Sequence, residues 1–407
     1  MMVFWQLFVQ VPASVLIFLT LFGALYQIFF ALIFLFLCKK RHLTQKPSHF
    51  IAILIPAHNE SGGLRPVLER CMALDYPKEL YSVTVIADNC TDSTAQIARE
   101  CGVTSLERFD DVKRGKGRAL EWAIPQVLEH HPDALMILDA DCYLDPKSLN
   151  ACDFELSKGH HAIQIPNLVS NTDASFHSYC QSLARTMENL LFYWPKTKLG
   201  LSSFLLGTGM VLHREILERL PWNCCGLAED FEYSIRIIAN HVKPIFVGDA
   251  GLASPFPVNA EQLATQRTRW VFGGIQTLWS SFGQLLYQGV FKHNFIALDA
   301  AVSMLYISRP AVFCQVALSG LIGTMCFFLI PSLWSNLLLA IFLGAVAIYM
   351  TYVMIGVFTL GLTWRRVKLL LCIPLFVIKY FVIVTKSILV SHPTEWERTP
   401  RNREPKP

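Results

Sequence analysis

The sequence predicts an α/β domain on a mixed, mostly parallel sheet, with transmembrane α-helices at both ends of the chain. Two observations carry that class. Hydrophobic residues make up 53% of 407 and mean hydropathy is +0.39, yet the longest apolar runs lie toward the two ends, which describes a membrane protein with a soluble middle. Between them, roughly residues 48–255 alternate short β-rich runs with helical spacing. Such alternation builds a sheet whose ligand site lies beyond the carboxyl ends of its strands.

Residues 3–38 carry no charge, and the run stops at Lys39-Lys40-Arg41-His42. About twenty apolar residues cross a bilayer, so 1–42 are expected to form a retained anchor with its basic end in the cytoplasm. A cleavable signal would place its charge before a shorter apolar core and a small-residue cleavage site after it. A domain over 43–258 follows. Phe50–Pro56 reads as a strand closed by proline, Leu64–Leu74 as a helix, and Val83–Ala87 as a strand ending at Asp88-Asn89. Thr94–Glu100 is a helix capped by Thr91-Asp92-Ser93, Arg118–Leu128 a further helix, and Leu135–Leu138 a buried strand running into Asp139-Ala140-Asp141.

Residues 259–308 are expected as interface helices, with one over Glu261–Phe282. In the segment 309–391, Pro310–Ile330 and Leu337–Leu362 are long enough to span, joined by a turn at Pro331-Ser332-Leu333-Trp334. Thr363-Trp364-Arg365-Arg366-Val367-Lys368 reads as a cytoplasmic loop. Leu369–Val390, with Pro374, Lys379 and Lys386, fits either a third span or an amphipathic interface helix. A basic tail, 392–407, is expected in the cytoplasm.

Several classes are disfavoured. The net charge of +4 is modest and its basic residues cluster beside apolar spans, which argues against nucleic acid as a partner. The twelve cysteines form no C-x-x-C pair, so they read as small buried hydrophobes of a reducing compartment. No G-x-G-x-x-G follows the first strand, which excludes a dinucleotide oxidoreductase. A transporter subunit is the non-enzymatic alternative, and the apolar spans hold few of the ionisable residues that line substrate paths.

Three strand ends carry polar residues: His58-Asn59-Glu60, Asp88-Asn89 and Asp139-Ala140-Asp141. Residues i and i+2 of a strand share a face, so Asp139 and Asp141 are expected to share one divalent cation; a solvated strand end is the plainer alternative. Further motifs stand in order: Ile-Pro-Ala-His-Asn-Glu at 55–60, Ala-Asp-Asn-Cys-Thr-Asp-Ser-Thr at 87–94, Gly-Lys-Gly-Arg-Ala-Leu at 115–120, Leu-Asp-Ala-Asp at 138–141, Gly-Thr-Gly at 207–209, Ala-Glu-Asp at 228–230 and Gln-Arg-Thr-Arg-Trp at 266–270. Together these resemble the motifs of membrane-bound family 2 glycosyltransferases, from about residue 48 to the end. The resemblance implies an inverting GT-A fold, that of nucleotide-diphospho-sugar transferases, related to cellulose, chitin, hyaluronan and poly-N-acetylglucosamine synthases and to glycolipid glucosyltransferases.

It also implies roles. Asp230, with Glu229 beside it, would be catalytic, Asp230 taking the proton of the acceptor hydroxyl; the alternative is that both merely favour a helix dipole. Asp139 and Asp141 would hold Mg2+ or Mn2+ at the donor diphosphate. Asp88 would accept from a pyrimidine N–H and Glu60 would hold ribose hydroxyls, with loop capping as the alternative for both. Lys116, between Gly115 and Gly117, would touch the diphosphate, unless it is a solvated basic turn. Pro56, Gly209 and Asp139 complete the donor side. Gln266, Arg269 and Trp270 share a helix face toward the acceptor, against the alternative of an arginine and a tryptophan at the membrane boundary.

The function so implied is transfer of a hexose or N-acetylhexosamine from a nucleotide diphosphate sugar, a UDP-sugar first, to a glycan acceptor in β-linkage. Exopolysaccharide or cell-surface polysaccharide synthesis is the leading setting and glycolipid synthesis the alternative. Expected partners are the nucleotide-sugar donor, the glycan or lipid-linked acceptor, membrane lipids and other polysaccharide-assembly proteins. The expected location is the inner (plasma) membrane, multi-pass, with the catalytic domain cytoplasmic.

Overall fold

The computed structural model describes residues 2–370 apart from 42, 44 and 308. The strands are β1 (Ile51–Ala57), β2 (Tyr81–Asp88), β3 (Thr104–Arg108), β4 (Ala134–Ile137), β5 (Tyr143–Leu144), β6 (Ala162–Gln164), β7 (Asn167–Val169), β8 (Met210–His213), β9 (Ile245–Phe246) and β10 (Leu252–Ser254). Seven of them form the main sheet in the order β3-β2-β1-β4-β8-β6-β9, and β5-β10-β7 form a small second sheet. β3, β2, β1 and β4 run parallel; β8 lies antiparallel between β4 and β6, which makes the sheet mixed.

Alternation along β1 divides the core. Ile51, Ile53 and Ile55 pack with Leu64, Val67, Leu149 and Cys152 of the helices Leu64–Met72 and Ser148–Leu156. Ala52 and Leu54 pack on the other face with Ala119, Ala123, Tyr233 and Ile237 of the helices Lys116–Leu128 and Glu229–Ala239. A strand covered on both faces needs apolar residues at every position, as a near-continuous run such as Ile-Ala-Ile-Leu-Ile provides. Expected and observed bounds differ by a residue or two for most elements. One difference matters. β4 ends at Ile137, so Asp139-Ala140-Asp141 lies in the turn after the strand, and the shared-face alternation expected of a strand does not govern the pair.

Among the described residues, three helices are long and apolar enough to cross a membrane: Phe8–Leu37 within the helix Met2–Leu37, Ala311–Leu329 within Arg309–Leu329, and Leu333–Leu360. The last two are joined by only Ile330-Pro331-Ser332, since Ser332 caps the next helix by accepting from the backbone N–H of Ser335; the expected turn was longer. Thr363–Lys368, expected as a loop, is mostly the helix Trp364–Leu370, tied to residue 173 by Arg366, whose Nε and Nη2 each lie 2.8 Å from an Asp173 oxygen. Leu369 and Leu370 close that helix, whereas the rest of the expected segment to Val390 and the basic tail lie outside the described residues.

Two polar links tie the first long helix to the α/β domain. At its foot, Arg41 donates its backbone N–H to Asp249 at 2.7 Å, and its guanidinium pairs with Asp249 and Glu155. Further up, Tyr26 donates to Asp299 at 3.0 Å, and the same carboxylate takes the Lys196 ammonium at 2.9 Å, with Lys196 only 1% exposed. Lys196 follows the one π-helical turn described, Asn189–Tyr193, and Asp299 sits on the helix Phe295–Ile307.

Candidate active site

Lys116 opens the helix Lys116–Leu128, behind Gly115 at φ +106°. Gly117 lets that helix end press against the loop before Glu229: a Cβ there would stand 2.5 Å from the Cys224 carbonyl oxygen and 3.3 Å from Glu229 Cβ. The close approach brings three motifs together. Lys116 Nζ donates to Asp139 Oδ1 and to the Gly207 carbonyl, both at 2.6 Å, and lies 3.8 Å from Glu229 Oε1. Gly207, at φ +83°, adopts a conformation that favours glycine, and a Cβ there would sit 3.0 Å from Asp230 Oδ2. Sequence positions 116, 139, 207, 229 and 230 therefore meet at the carboxyl end of the sheet.

Asp139 and Asp141 converge despite leaving the strand. The Asp139 backbone N–H donates to Thr208 Oγ1 at 3.0 Å, which fixes the turn against the Gly207-Thr208-Gly209 loop. Single donor atoms of Asp139, Asp141 and Cys142 lie within 4.8 Å of one another. Burial, with the charges of Asp141 and Asp139, pushes the Cys142 thiol well up, so it remains an uncharged apolar neighbour. The two carboxylates are oxygen donors suited to a hard cation, and the ammonium already resting on Asp139 shows that the pocket accepts positive charge. Gly209 serves the scaffold. Its N–H donates to the Ile137 carbonyl at 2.8 Å, its own carbonyl accepts from Ile165, and a Cβ there would stand 2.5 Å from Leu252 Cδ2, so its main-chain groups are both used within the sheet.

Glu229 and Asp230 open the helix Glu229–Ala239. Burial lifts the Glu229 carboxyl to about 7 against the pull of Lys116, and the neighbouring Asp230 charge adds to the rise. Asp230 is likewise raised by burial, opposed by Lys116 and by the Phe231 N–H that donates to its Oδ1 at 2.8 Å. For Lys116 burial opposes the charge, yet Asp139, Glu229 and Asp230 outweigh it and hold the ammonium above its ordinary range. A half-buried pair of carboxylates beside a lysine is equipped to hold or release one proton near neutrality.

Asp88 closes β2 with its side chain 9% exposed and its Oδ1 2.5 Å from Arg108 Nη1. Burial raises its carboxyl and Arg108 opposes the rise. Arg108, at the end of β3, is a partner that sequence reasoning missed because that strand gives no strong periodic signal. Asn89 Oδ1 accepts from the Asp110 N–H at 2.8 Å, and Asn59 Oδ1 accepts from the Thr91 N–H at 2.8 Å, so the first two strand-end loops are knitted to their neighbours. Glu60 is buried, its N–H donates to Thr94 Oγ1, and its carbonyl accepts from Gly63 and Leu64 at the start of a helix. Pro56 pairs in register with Ile86 near the end of β1. The cap of Thr94–Glu100 comes from Asp92, whose Oδ1 accepts from the Thr94 N–H at 3.0 Å.

Gln266 and Trp270 lie on a helix longer than expected, Ala260–Phe291; Arg269 belongs to it, but its side chain lies outside the description. Trp270 has Arg267 at 5.0 Å and Arg185 at 5.1 Å from its ring centroid, and Phe256 edge-on at 6.5 Å. One turn on, a Cβ at Gly273 would lie 3.2 Å from the Cβ atoms of Leu227 and Ala228. The helix is thus seated on the loop that delivers Glu229.

Comparison with known proteins identifies the family and the fold. The family model described as glycosyltransferase like family 2 matches residues 47–273. A probable glycosyltransferase of Bacillus subtilis, YdaM, is 26% identical over 240 residues, 55% of this chain and 54% of the relative. A beta-monoglucosyldiacylglycerol synthase of Nostoc is 26% identical over 239 residues, 56% and 49%. The chain therefore spans about half the length of these curated relatives. A poly-beta-1,6-N-acetyl-D-glucosamine synthase of Staphylococcus aureus is 23% identical over 309 residues, 72% of each chain. Among solved structures, the mannosyltransferase PcManGT of Pyrobaculum calidifontis, held with GDP-Man and Mn2+, superposes with a TM-score of 0.57 at 18% identity, covering 94% of this chain and 99% of that one. That likeness shows a shared GT-A fold.

Proposed function

As the chain belongs to glycosyltransferase family 2, we propose that it is a membrane-bound inverting glycosyltransferase that moves a hexose or N-acetylhexosamine from a nucleotide diphosphate sugar, a UDP-sugar first, to a glycan acceptor. The observation that carries this reading is the meeting of Lys116, Asp139, Glu229 and Asp230 in one half-buried pocket at the ends of the strands. Asp139 and Asp141 would hold magnesium or manganese, which when bound supplies positive charge at the donor diphosphate.

In this reading Asp88 and Arg108 together face the pyrimidine, Glu60 and Pro56 border the ribose, and Lys116 holds a phosphate oxygen in place of Asp139. Asp230 takes the proton from the acceptor hydroxyl as that oxygen forms its bond to the anomeric carbon. The bond from that carbon to the diphosphate breaks on the opposite side, and its electron pair leaves with the diphosphate. Configuration inverts. Glu229 stays beside Lys116 and sets how readily Asp230 gives up its proton. Gln266 and Trp270 serve the acceptor side, Trp270 held between Arg185 and Arg267, and Arg269 is assigned to the same role by its place in the motif.

Three helices among the described residues are apolar and long enough to anchor the domain at a membrane, and the basic residues after the first support a cytoplasmic catalytic side. Polysaccharide synthesis is the leading setting, supported by the 72% overlap with the poly-N-acetylglucosamine synthase. A lipid acceptor is the second reading, favoured by the likeness to the beta-monoglucosyldiacylglycerol synthase. Purified protein given UDP-sugars with glycan or diacylglycerol acceptors tests both. A β-linked product from an α-linked donor is expected, and an α-linked product contradicts the mechanism.

A further inference from the structure

We propose a second metal site, made by His161, His213 and Glu215, that binds a zinc-class transition-metal ion at the pole of the sheet opposite the active site. The placement follows from strand pairing. β6 and β8 are antiparallel with Ala162 opposite Leu212, so His161 and His213 come next in register, and the His213 N–H donates to the His161 carbonyl at 2.9 Å. Directly opposed residues on one face have their Cβ atoms close together. The two imidazoles accordingly stack, with centroids 4.9 Å apart and planes 21° apart.

Glu215 follows His213 by two residues and turns back to the same spot, its Oε2 3.8 Å from His161 Nε2. One donor atom from each of the three lies within 4.8 Å of the other two. Two imidazole nitrogens and one carboxylate oxygen are a donor set that zinc takes with a fourth position open, whereas magnesium favours oxygen alone. The site is reachable, with His161 35% and Glu215 58% exposed, and closing onto an ion needs the two stacked imidazoles to turn until their ring planes meet at the metal, with the exposed glutamate following. Neighbouring charges are already engaged elsewhere: Arg214 contacts Glu218 and His131. The bond that ligation competes with is the 3.3 Å one from the Glu215 N–H to His213 Nδ1.

This site is independent of the proposed reaction. His213 pairs with Ala134 at the start of β4, while Asp139 follows the far end of that strand, a separation on the order of 15 Å. An ion there would clip β6 to β8 and so brace the strand pair that presents Gly207-Thr208-Gly209 to the active site.

The test is Zn2+ titration of the full-length protein in detergent against a chromophoric chelator, with excess Mg2+ present to hold the Asp139–Asp141 pair. One high-affinity Zn2+ per chain is expected. His161→Ala/His213→Ala should weaken it by at least about 100-fold, since loss of even an outer-shell partner costs up to that much. Glu215→Gln should weaken it to a lesser degree. His131→Ala, on the same rim but outside the triad, should leave it unchanged, and sugar transfer by the double variant in Mg2+ should show that it is folded. Co2+ in place of Zn2+ should give the intense visible absorption of a four-coordinate site in the wild type and in His131→Ala, and not in the double variant. Absence of tight binding, equal binding in the double variant, or loss in His131→Ala would each overturn the proposal.

Discussion

At the scale of single residues, the candidate site is an arrangement of charges that restrain one another. Asp141→Asn, and more mildly Asp139→Asn, should abolish turnover by removing charge from a hard-metal pocket, and excess chelator should do the same to the wild type; full turnover in chelator would remove the metal from the account. Asp230→Asn separates chemistry from binding. Donor affinity should hold while turnover falls by roughly 10²-fold or more, the scale of a lost general base. Lost affinity with unchanged turnover would make Asp230 a binding residue. Glu229 adds a pH signature. Its carboxyl sits at about 7 when folded against an ordinary 4.5, so the folded state binds the extra proton and its stability contribution is complete below 4.5 and lost as pH rises to 7. In metal-free protein, the melting temperature of Glu229→Gln should gain on the wild type across that window and hold level above it; parallel curves would contradict the raised carboxyl. The sequence made Lys116, Asp139, Asp141, Glu229 and Asp230 legible by their motifs. Arg108 was not, because its short strand shows no period, nor was Arg185, which meets Trp270 across a long stretch of chain.

At the scale of elements, the site depends on how closely one helix end can approach a loop. Gly117→Ala should lower stability by about 1–3 kcal/mol, the usual cost of overpacking, because its Cβ would meet the backbone of Cys224 and Cys225. Turnover should fall with it, as Lys116 is pushed from Glu229; denaturant melts and rates measured together check both. β1, β2 and the helices around them were readable because long apolar runs and 3.6-residue spacing survive in a single sequence. β5, β6, β7, β9 and β10, of two or three residues each, are too short to show a period, and their pairing is decided by partners distant in sequence. The turn at Asp139 shows the opposite error: an apolar run was extended one residue beyond the last ladder position, and Asp139 sits in a turn closed by the Cys142 N–H to its carbonyl and tied to Thr208, where pleat geometry does not apply.

At the scale of the whole molecule, buried charge joins the first apolar helix and the helix Phe295–Ile307 to the α/β domain. Lys196 and Asp299 meet beneath Tyr26 with little solvent, so Lys196→Met alone should destabilise the protein by about 3–5 kcal/mol by leaving a carboxylate unpaired. Lys196→Met/Asp299→Leu should recover most of that loss in a thermal melt in detergent, and a double variant as unstable as the single would show that the pair is not what joins the parts. The spans themselves were legible from hydropathy alone, while this pair, 103 residues apart, was not. The central claim, that the assembled pocket transfers a sugar from a nucleotide diphosphate donor, is tested most directly by incubating the purified full-length protein with a panel of nucleotide sugars and acceptors and measuring released nucleoside diphosphate. Acceptor-dependent release with at least one donor, lost in Asp230→Asn, is the predicted result; no release with any donor and acceptor, or equal release by the variant, would contradict it.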